Sequence, residues 1–237
     1  MKRFLFFLSV AVIFFSSCDY KRVKGNGHIT TEDRSVSHAE RISLRGSYDV
    51  EITQGSPASL RIEGDENLLR YIITDQENGS LVIRSKDHVN LVSDNPIKVY
   101  ITTDKIEQVQ LSGSGNITAK NKLTAGDKLV LKIAGSGDMK LDANTPTIDA
   151  EISGSGSITI GGETRDQKVR INGMGDYNGE GLKSEKTSVH IAGSGNVRVF
   201  ADAELDINIA GSGDIYYKGN ATVKQHIAGS GEVRKIE

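Results

Sequence analysis

The sequence has one cysteine, Cys18, only three prolines and no tryptophan. A single thiol excludes an intramolecular disulfide framework and any Cys-rich zinc site. Aromatic residues supply 5% of the chain, as six Phe and seven Tyr, so any core has to be aliphatic. No charge of one sign dominates either, since 29 Lys and Arg face 31 Asp and Glu. That balance excludes a basic nucleic-acid binder, and no nucleic acid is expected as partner. Long apolar runs are scarce. The run Phe4 to Phe15 would span roughly 18 Å as a helix, short of the ~30 Å hydrocarbon layer, which excludes a polytopic membrane protein. An enzyme is not excluded by any of these shortages.

Lys2 and Arg3 precede that run, and Phe15-Ser16-Ser17-Cys18 closes it. A positive start, an apolar stretch and small residues before a cut describe a bacterial secretory signal. Cys18 directly after the small pair resembles the acylated residue of a lipobox, with Phe15 where Leu is more usual. The other reading is an ordinary secretory signal with an incidental cysteine. The lipobox resemblance implies a leader at 1–17, lipid attachment at Cys18 and a polar tether over 18–24. Two acyl chains on Cys18 and a third on its amine would anchor durably, where one chain binds marginally. The expected location is the cell envelope, lipid-anchored in the outer membrane, on its periplasmic or its surface face.

What is abundant is glycine, 26 residues or about 11% against a usual level of roughly 7%. Most of it belongs to one heptad that recurs seven times: Leu111-Ser112-Gly113-Ser114-Gly115-Asn116-Ile117, then Ile133 to Met139, Ile152 to Ile158, Ile171 to Tyr177, Ile191 to Val197, Ile209 to Ile215 and Ile227 to Val233. The first glycines are spaced by 22, 19, 19, 20, 18 and 18 residues. Counted from that glycine, apolar residues fall at even offsets, as in Leu131/Ile133, Val189/Ile191 and Val197/Val199, while polar residues hold the odd ones. Period two means strands with one face inward. The glycines share the inward parity and would let the backbone bend against the core.

A short strand unit repeated at near-constant period cannot bury its own apolar edge, but stacked copies can. The expected fold is all-β: a right-handed parallel β-helix (β-solenoid) of about 19 residues per rung with Gly-Ser-Gly corners. The alternative is an antiparallel sandwich or barrel of hairpins, which near-constant period and identical corner chemistry disfavour. The regular seven-repeat part is expected over 109–237. Residues 25–108 read as degenerate rungs or a cap, with Val23-Lys24-Gly25-Asn26-Gly27-His28-Ile29, the Ile42 to Ile52 segment and Leu60-Arg61-Ile62-Glu63-Gly64 as fainter copies. A short helix is expected near 65–72, and Asn78-Gly79 reads as a turn between strands. A separate N-terminal β domain is the competing reading of this half.

The heptads, Gly46-Ser47-Tyr48-Asp49-Val50-Glu51-Ile52 and Asn78-Gly79-Ser80-Leu81-Val82-Ile83 together resemble the head GIN auto-transporter adhesin family, over nearly all of the chain after the leader. The resemblance implies a secreted or lipid-anchored bacterial protein of β-helical fold, and it carries no established activity.

Offset +3 holds Asn116, Asp138, Ser157, Asp176, Asn196, Asp214 and Glu232, a candidate surface ladder for a cation or sugar hydroxyls. Its structural alternative is that Asx side chains bond their own turn backbone. Asp138, Asp176 and Asp214 would lie two rungs apart, about 9.6 Å, too far to share an ion. Offset −3 holds Gln110, Lys132, Glu151, Arg170, His190, Asn208 and His226, which reads as cross-strand pairing of alternating charges. No catalytic residues, metal site or cofactor are expected. The expected function is a non-enzymatic envelope adhesin or interaction stalk, held on the membrane by lipid and presenting a surface to a glycan or protein partner. It is expected to be mostly monomeric, with weak oligomers as the minority outcome. The alternative is a polysaccharide-binding or pectinase-like carbohydrate-processing protein on the same fold.

Overall fold

The computed structural model describes residues 20–37 and 39–237. The expected leader 1–17 and the lipid site Cys18 lie outside the described residues, and the expected polar tether 18–24 is corrected at its far end, where Lys21–Lys24 form a strand paired with Val89–Val92. Alternating aliphatic and polar residues make strands of about two-thirds of the described residues. The N-terminal section contains β1 Lys21–Lys24, β2 Ile29–Arg34, β3 Arg41–Gly46, β4 Asp49–Gln54, β5 Ser59–Asp65, the helix α1 Glu66–Leu69, β6 Ile72–Glu77, β7 Ser80–Ser85, β8 Val89–Val92 and β9 Lys98–Thr103. The rest contains β10 Gln108–Gly113, β11 Asn116–Ala119, β12 Leu123–Thr124, β13 Lys128–Gly135, β14 Asp138–Gly154, β15 Ser157–Gly173, β16 Asp176–Gly193, β17 Val197–Phe200, β18 Glu204–Gly211, β19 Ile215–Lys218, β20 Thr222–Gly229 and β21 Val233–Lys235.

These strands form a β-solenoid. Along one flank β3, β10, β13, β14, β15, β16, β18 and β20 pair in parallel, each with the next. Their register puts Gly46, Gly113, Gly135, Gly154, Gly173, Gly193, Gly211 and Gly229 in one column. A second flank continues from β4 through β11 to β21 in the same sense. Inside runs one aliphatic column from Ala39 to Ile215, with Tyr48 and Tyr177 as its buried aromatics. No buried side-chain nitrogen or oxygen among the described residues lacks a hydrogen-bond partner.

The corners need glycine for a reason that parity does not state. Gly211 has φ +142°, a region L side chains avoid, and a Cβ there would overlap the carbonyl oxygen of Gly193 in the neighbouring rung. The obstacle lies along the stack rather than in the core. That carbonyl is occupied: the oxygen of Gly113 accepts from the N–H groups of Ser136 (3.0 Å) and Gly137 (3.1 Å), and that of Gly135 from Ser155 (2.9 Å) and Gly156 (3.1 Å). Each bend therefore rests on the bend before it. The second glycine of the heptad meets both obstacles, since a Cβ on Gly156 would overlap the carbonyl oxygen of Gly137 in the neighbouring rung and stand 2.8 Å from Cγ2 of Ile133 in the core.

The N-terminal section departs from a simple series of rungs. β3 and β4 make a rung that stacks on β10 and β11 on one side, and on β7 and β9 on the other. The outermost parallel rung thus comes later in sequence than the one it covers. Outside it the sheets turn antiparallel: β6 pairs with β7, β5 with β9, and β2 with β5. Two of the expected faint copies are corrected by this. Leu60 to Gly64 lies in β5, an antiparallel strand, and Val23 to Ile29 is split between β1, which pairs with β8 in a two-stranded sheet, and β2. Period two is the same for either strand direction, so parity could not separate them.

The helix is shorter than expected, at Glu66–Leu69, and its Leu68 and Leu69 are buried. Asn78 (φ 49°) and Gly79 (φ 72°) form the turn between β6 and β7, as their dipeptide predicts. Arg34, at the end of β2, ties the two antiparallel edges together. Its guanidinium donates to the carbonyls of Ile72 (2.6 Å) and Leu69 (2.9 Å), and its Nε to Glu32 (3.1 Å). Asp65, also buried, accepts from the N–H of Gly27 (2.5 Å) and from the hydroxyl of Ser93, which pins the β1–β2 connection to the loop after β8.

Candidate functional site

The ladder residues stand on successive rungs. Register pairs Asn116 with Asp49 and Asp138, Asp138 with Ser157, and Ser157 with Asp176. The column then continues through Asn196, Asp214 and Glu232, which follow the corners at Gly193, Gly211 and Gly229. Their oxygens point along the stack at the next backbone. Oδ1 of Asp138 accepts from the N–H (3.2 Å) and hydroxyl (2.6 Å) of Ser157, and Oδ1 of Asp176 from the N–H of Asn196 (3.0 Å). Asn196 receives the N–H of Asp214 (3.3 Å), and Asp214 that of Glu232 (2.9 Å). Asp49 begins the series by accepting from Nδ2 of Asn116 (2.8 Å). It was readable in sequence, because it sits at the same offset from Gly46. The arrangement satisfies bend N–H groups. Among the described residues there is no group of three or more His, Cys, Asp or Glu able to hold a metal ion.

The column at −3 is assembled too, but its pairing differs from simple alternation. Lys132 lies 3.6 Å from Glu151, whereas Arg170 turns to Asp149 (2.7 Å), which also receives Lys128 (2.6 Å). A carboxylate at a neighbouring position captured the arginine. His190 and His226 occupy register positions on either side of Asn208.

The concave feature of this flank arises where the repeat slips. Between β15 and β16 the register shifts between Thr159 and Gly161, and the chain there carries Gly161 and Gly162. With no side chain at 161, an open trough of about 470 Å³ forms across several rungs, walled by Lys140, Asp142, Thr159, Asn178, Glu180 and Lys218. A Cβ on Gly161 would overlap the carboxylate of Asp142. Glu180 pairs with Lys218 (2.8 Å) and reaches Arg198 (4.0 Å), whose guanidinium stacks 4.7 Å from the ring centroid of Tyr216. The trough thus offers ammonium groups, two carboxylates, an amide and a hydroxyl on a rigid strand scaffold, with the Arg198–Tyr216 pair beside Glu180. Sequence reasoning missed it. The available signal was the Gly161-Gly162 pair, which stands outside the heptad.

One polar cluster is sealed from solvent. Tyr177, at the offset where other rungs carry Ile, Met or Val, is 1% exposed, and its hydroxyl accepts from Nε2 of Gln167 (2.6 Å). Oε1 of Gln167 takes the hydroxyl of Thr187 (3.2 Å), and Ser184 and Thr187 share a bond of 2.7 Å. Burial pushes the Tyr177 phenol well above its ordinary value, against a smaller opposing effect of Gln167. Such a group is structural, since no ligand reaches it.

The family model described as "Putative auto-transporter adhesin, head GIN domain" matches residues 39–221. Among solved structures, a putative lipid binding protein from Parabacteroides distasonis is 26% identical, with a TM-score of 0.77 over 92% of this chain and 100% of that one. A putative adhesin from the same species is 27% identical, with a TM-score of 0.74 over 91% of this chain and 100% of its own. A putative adhesin from Bacteroides fragilis, 20% identical, superposes with a TM-score of 0.84 over 90% and 100% of the two chains and attests the fold alone. No curated protein matches the chain.

Proposed function

Because the chain belongs to the head GIN auto-transporter adhesin family, we propose that it is a non-enzymatic, lipid-anchored protein of the bacterial cell envelope, held in the outer membrane, whose solenoid is a rigid stalk that binds a partner along its flank. The anchor rests on Lys2, Arg3, the apolar run to Phe15 and the placement of Cys18. The observation that carries the binding role is the trough between Lys140 and Lys218. Mixed hydrogen-bonding groups on rigid strands suit a glycan or a polar protein surface. A polysaccharide-processing reading would need two free carboxylates at a set separation. Here Asp142 has no ion pair among the described residues, while Glu180 is engaged by Lys218 and Arg198, which favours holding a ligand over cleaving it.

The test uses the body 20–237 on glycan and extracellular-matrix arrays. That choice of body is supported by solved relatives that are matched over their whole length by about nine-tenths of this chain. The parent is expected to retain a ligand, and the Lys140→Glu/Thr159→Arg variant, changed at two exposed wall positions, to bind it at least about tenfold more weakly. Equal binding by both would remove the trough from the proposal.

A further inference from the structure

Three cations converge on one tyrosine at the capped end of the solenoid. Nζ of Lys21 lies 5.7 Å, the Arg70 guanidinium 5.7 Å and Nζ of Lys86 5.6 Å from the ring centroid of Tyr71. All three basic residues are exposed, and Tyr71 is half-buried. None of them forms an ion pair among the described residues, unlike Arg34, Arg61, Arg84 and Lys98 in the same section. Three positive charges gathered around one ring repel one another, and an anion placed among them relieves that repulsion. The ring supplies the other half of an interfacial site, being an apolar body with a polar tip.

The chain itself enters the body at this patch. Lys21 opens β1, its N–H donates to the carbonyl of His88 (2.8 Å), and the rings of Tyr20 and His88 lie 5.9 Å apart. Val23 of β1 and Leu91 of β8 pack on the core, so the start of β1 is fixed to the body. Cys18 is two residues before Tyr20, at most roughly 7 Å of extended chain. An acyl group on Cys18, or the apolar run upstream of it, would hold a bilayer within reach of these cations.

We propose that Lys21, Arg70, Tyr71 and Lys86 form a docking surface for anionic phospholipid headgroups, which seats the capped end on the membrane and points the trough-bearing stack away from it. The orientation rests on the anchored reading above; the headgroup chemistry does not. The experiment therefore uses the body 20–237, which has no acyl group, in co-sedimentation with vesicles of phosphatidylglycerol mixed into phosphatidylcholine, and with phosphatidylcholine alone. The parent is expected to partition onto the anionic vesicles only, and to be released as salt rises. Each basic residue at an anionic surface is worth about fivefold in partition, so the Lys21→Gln/Arg70→Gln/Lys86→Gln variant should bind about a hundredfold less.

A control carrying the same charge change on the stack, Lys168→Gln/Lys183→Gln/Lys186→Gln, should bind like the parent. Equal partition onto both kinds of vesicle, or equal losses in the two triple variants, would overturn the proposal. Labelling of the whole chain and its Cys18→Ala variant with a fatty-acid probe tests the anchor separately, so either idea can fail while the other stands.

Discussion

From Gln108 onward the molecule is held by one device used over and over, a glycine bend seated on the carbonyl of the bend before it. The section before Gln108 is held by devices used once each: antiparallel strands on the outer rung, two leucines from a four-residue helix, and the Arg34 guanidinium across two sheet edges. The difference follows from position in the stack. An interior rung meets a copy of itself on both sides, so a single sequence solution is repeatable. A terminal rung meets no copy, and its open N–H and C=O groups invite edge pairing unless other structure covers them. Repetition runs through the stack to its last rung, β20 and β21, and individuality belongs to the N-terminal end.

The bend breaks this comparison most sharply. Gly211→Val forces a β-branched residue to φ +142° and into the carbonyl of Gly193, and a loss of about 3 kcal/mol or more is expected. Ser212→Val, one residue on and exposed, should change stability by no more than about 0.5 kcal/mol. Urea midpoints of the two proteins check it; similar losses would show that the bend tolerates a side chain.

Arg34 tests whether the capped end is a separate layer of stability. Arg34→Ala removes a largely buried guanidinium bonded to two backbone carbonyls, for an expected loss of about 2 kcal/mol. Amide exchange read residue by residue should quicken in 29–105 and stay at parent rates in 130–215. Uniform quickening would mean that the stack depends on its cap throughout.

The smallest effect concerns the one buried polar cluster inside the repetitive part. The Tyr177 phenol is raised above its ordinary 10.0 in the folded protein, so the folded state holds that proton more tightly than the unfolded chain. The stability this linkage supplies is complete below about pH 10 and is lost as pH climbs toward the folded value, by about 1.4 kcal/mol per unit. Parent and Tyr177→Phe, compared from pH 9 to pH 11 by thermal melting, should converge as pH rises. A constant gap would place the alkaline loss elsewhere.

The repetitive part was legible because its chemistry leaves no choice at the bend. A position that must be glycine in every rung announces itself, and the residues at offsets −4, −2 and +4 from Val109 to Ile215 are all buried. The capped end was legible only in pieces. Asn78-Gly79 specified its turn, but nothing in Leu60-Arg61-Ile62 says whether its partner runs the same way or the opposite way, and the placement of β7 and β9 outside β3 and β4 depends on contacts far apart in sequence. The site divided likewise. The Asx column follows from a fixed offset. The trough comes from a departure of one residue from the repeat near Thr159, which a search for regularity passes over.

The seating of each bend on the last has a mechanical meaning. The hydrogen bonds between neighbouring rungs run along the stacking axis, so a pull along that axis loads one rung's bonds at a time rather than all of them in shear. A chain pulled from its last rung would peel, and each rung that detached would release 18 to 20 residues over most of the stack, as counted between its glycines. That is roughly 60–70 Å of extended chain. The rung left behind keeps its own bend, with the carbonyl that seats the next one free to receive it again. The molecule can therefore lengthen in steps under load and rewind in the same steps.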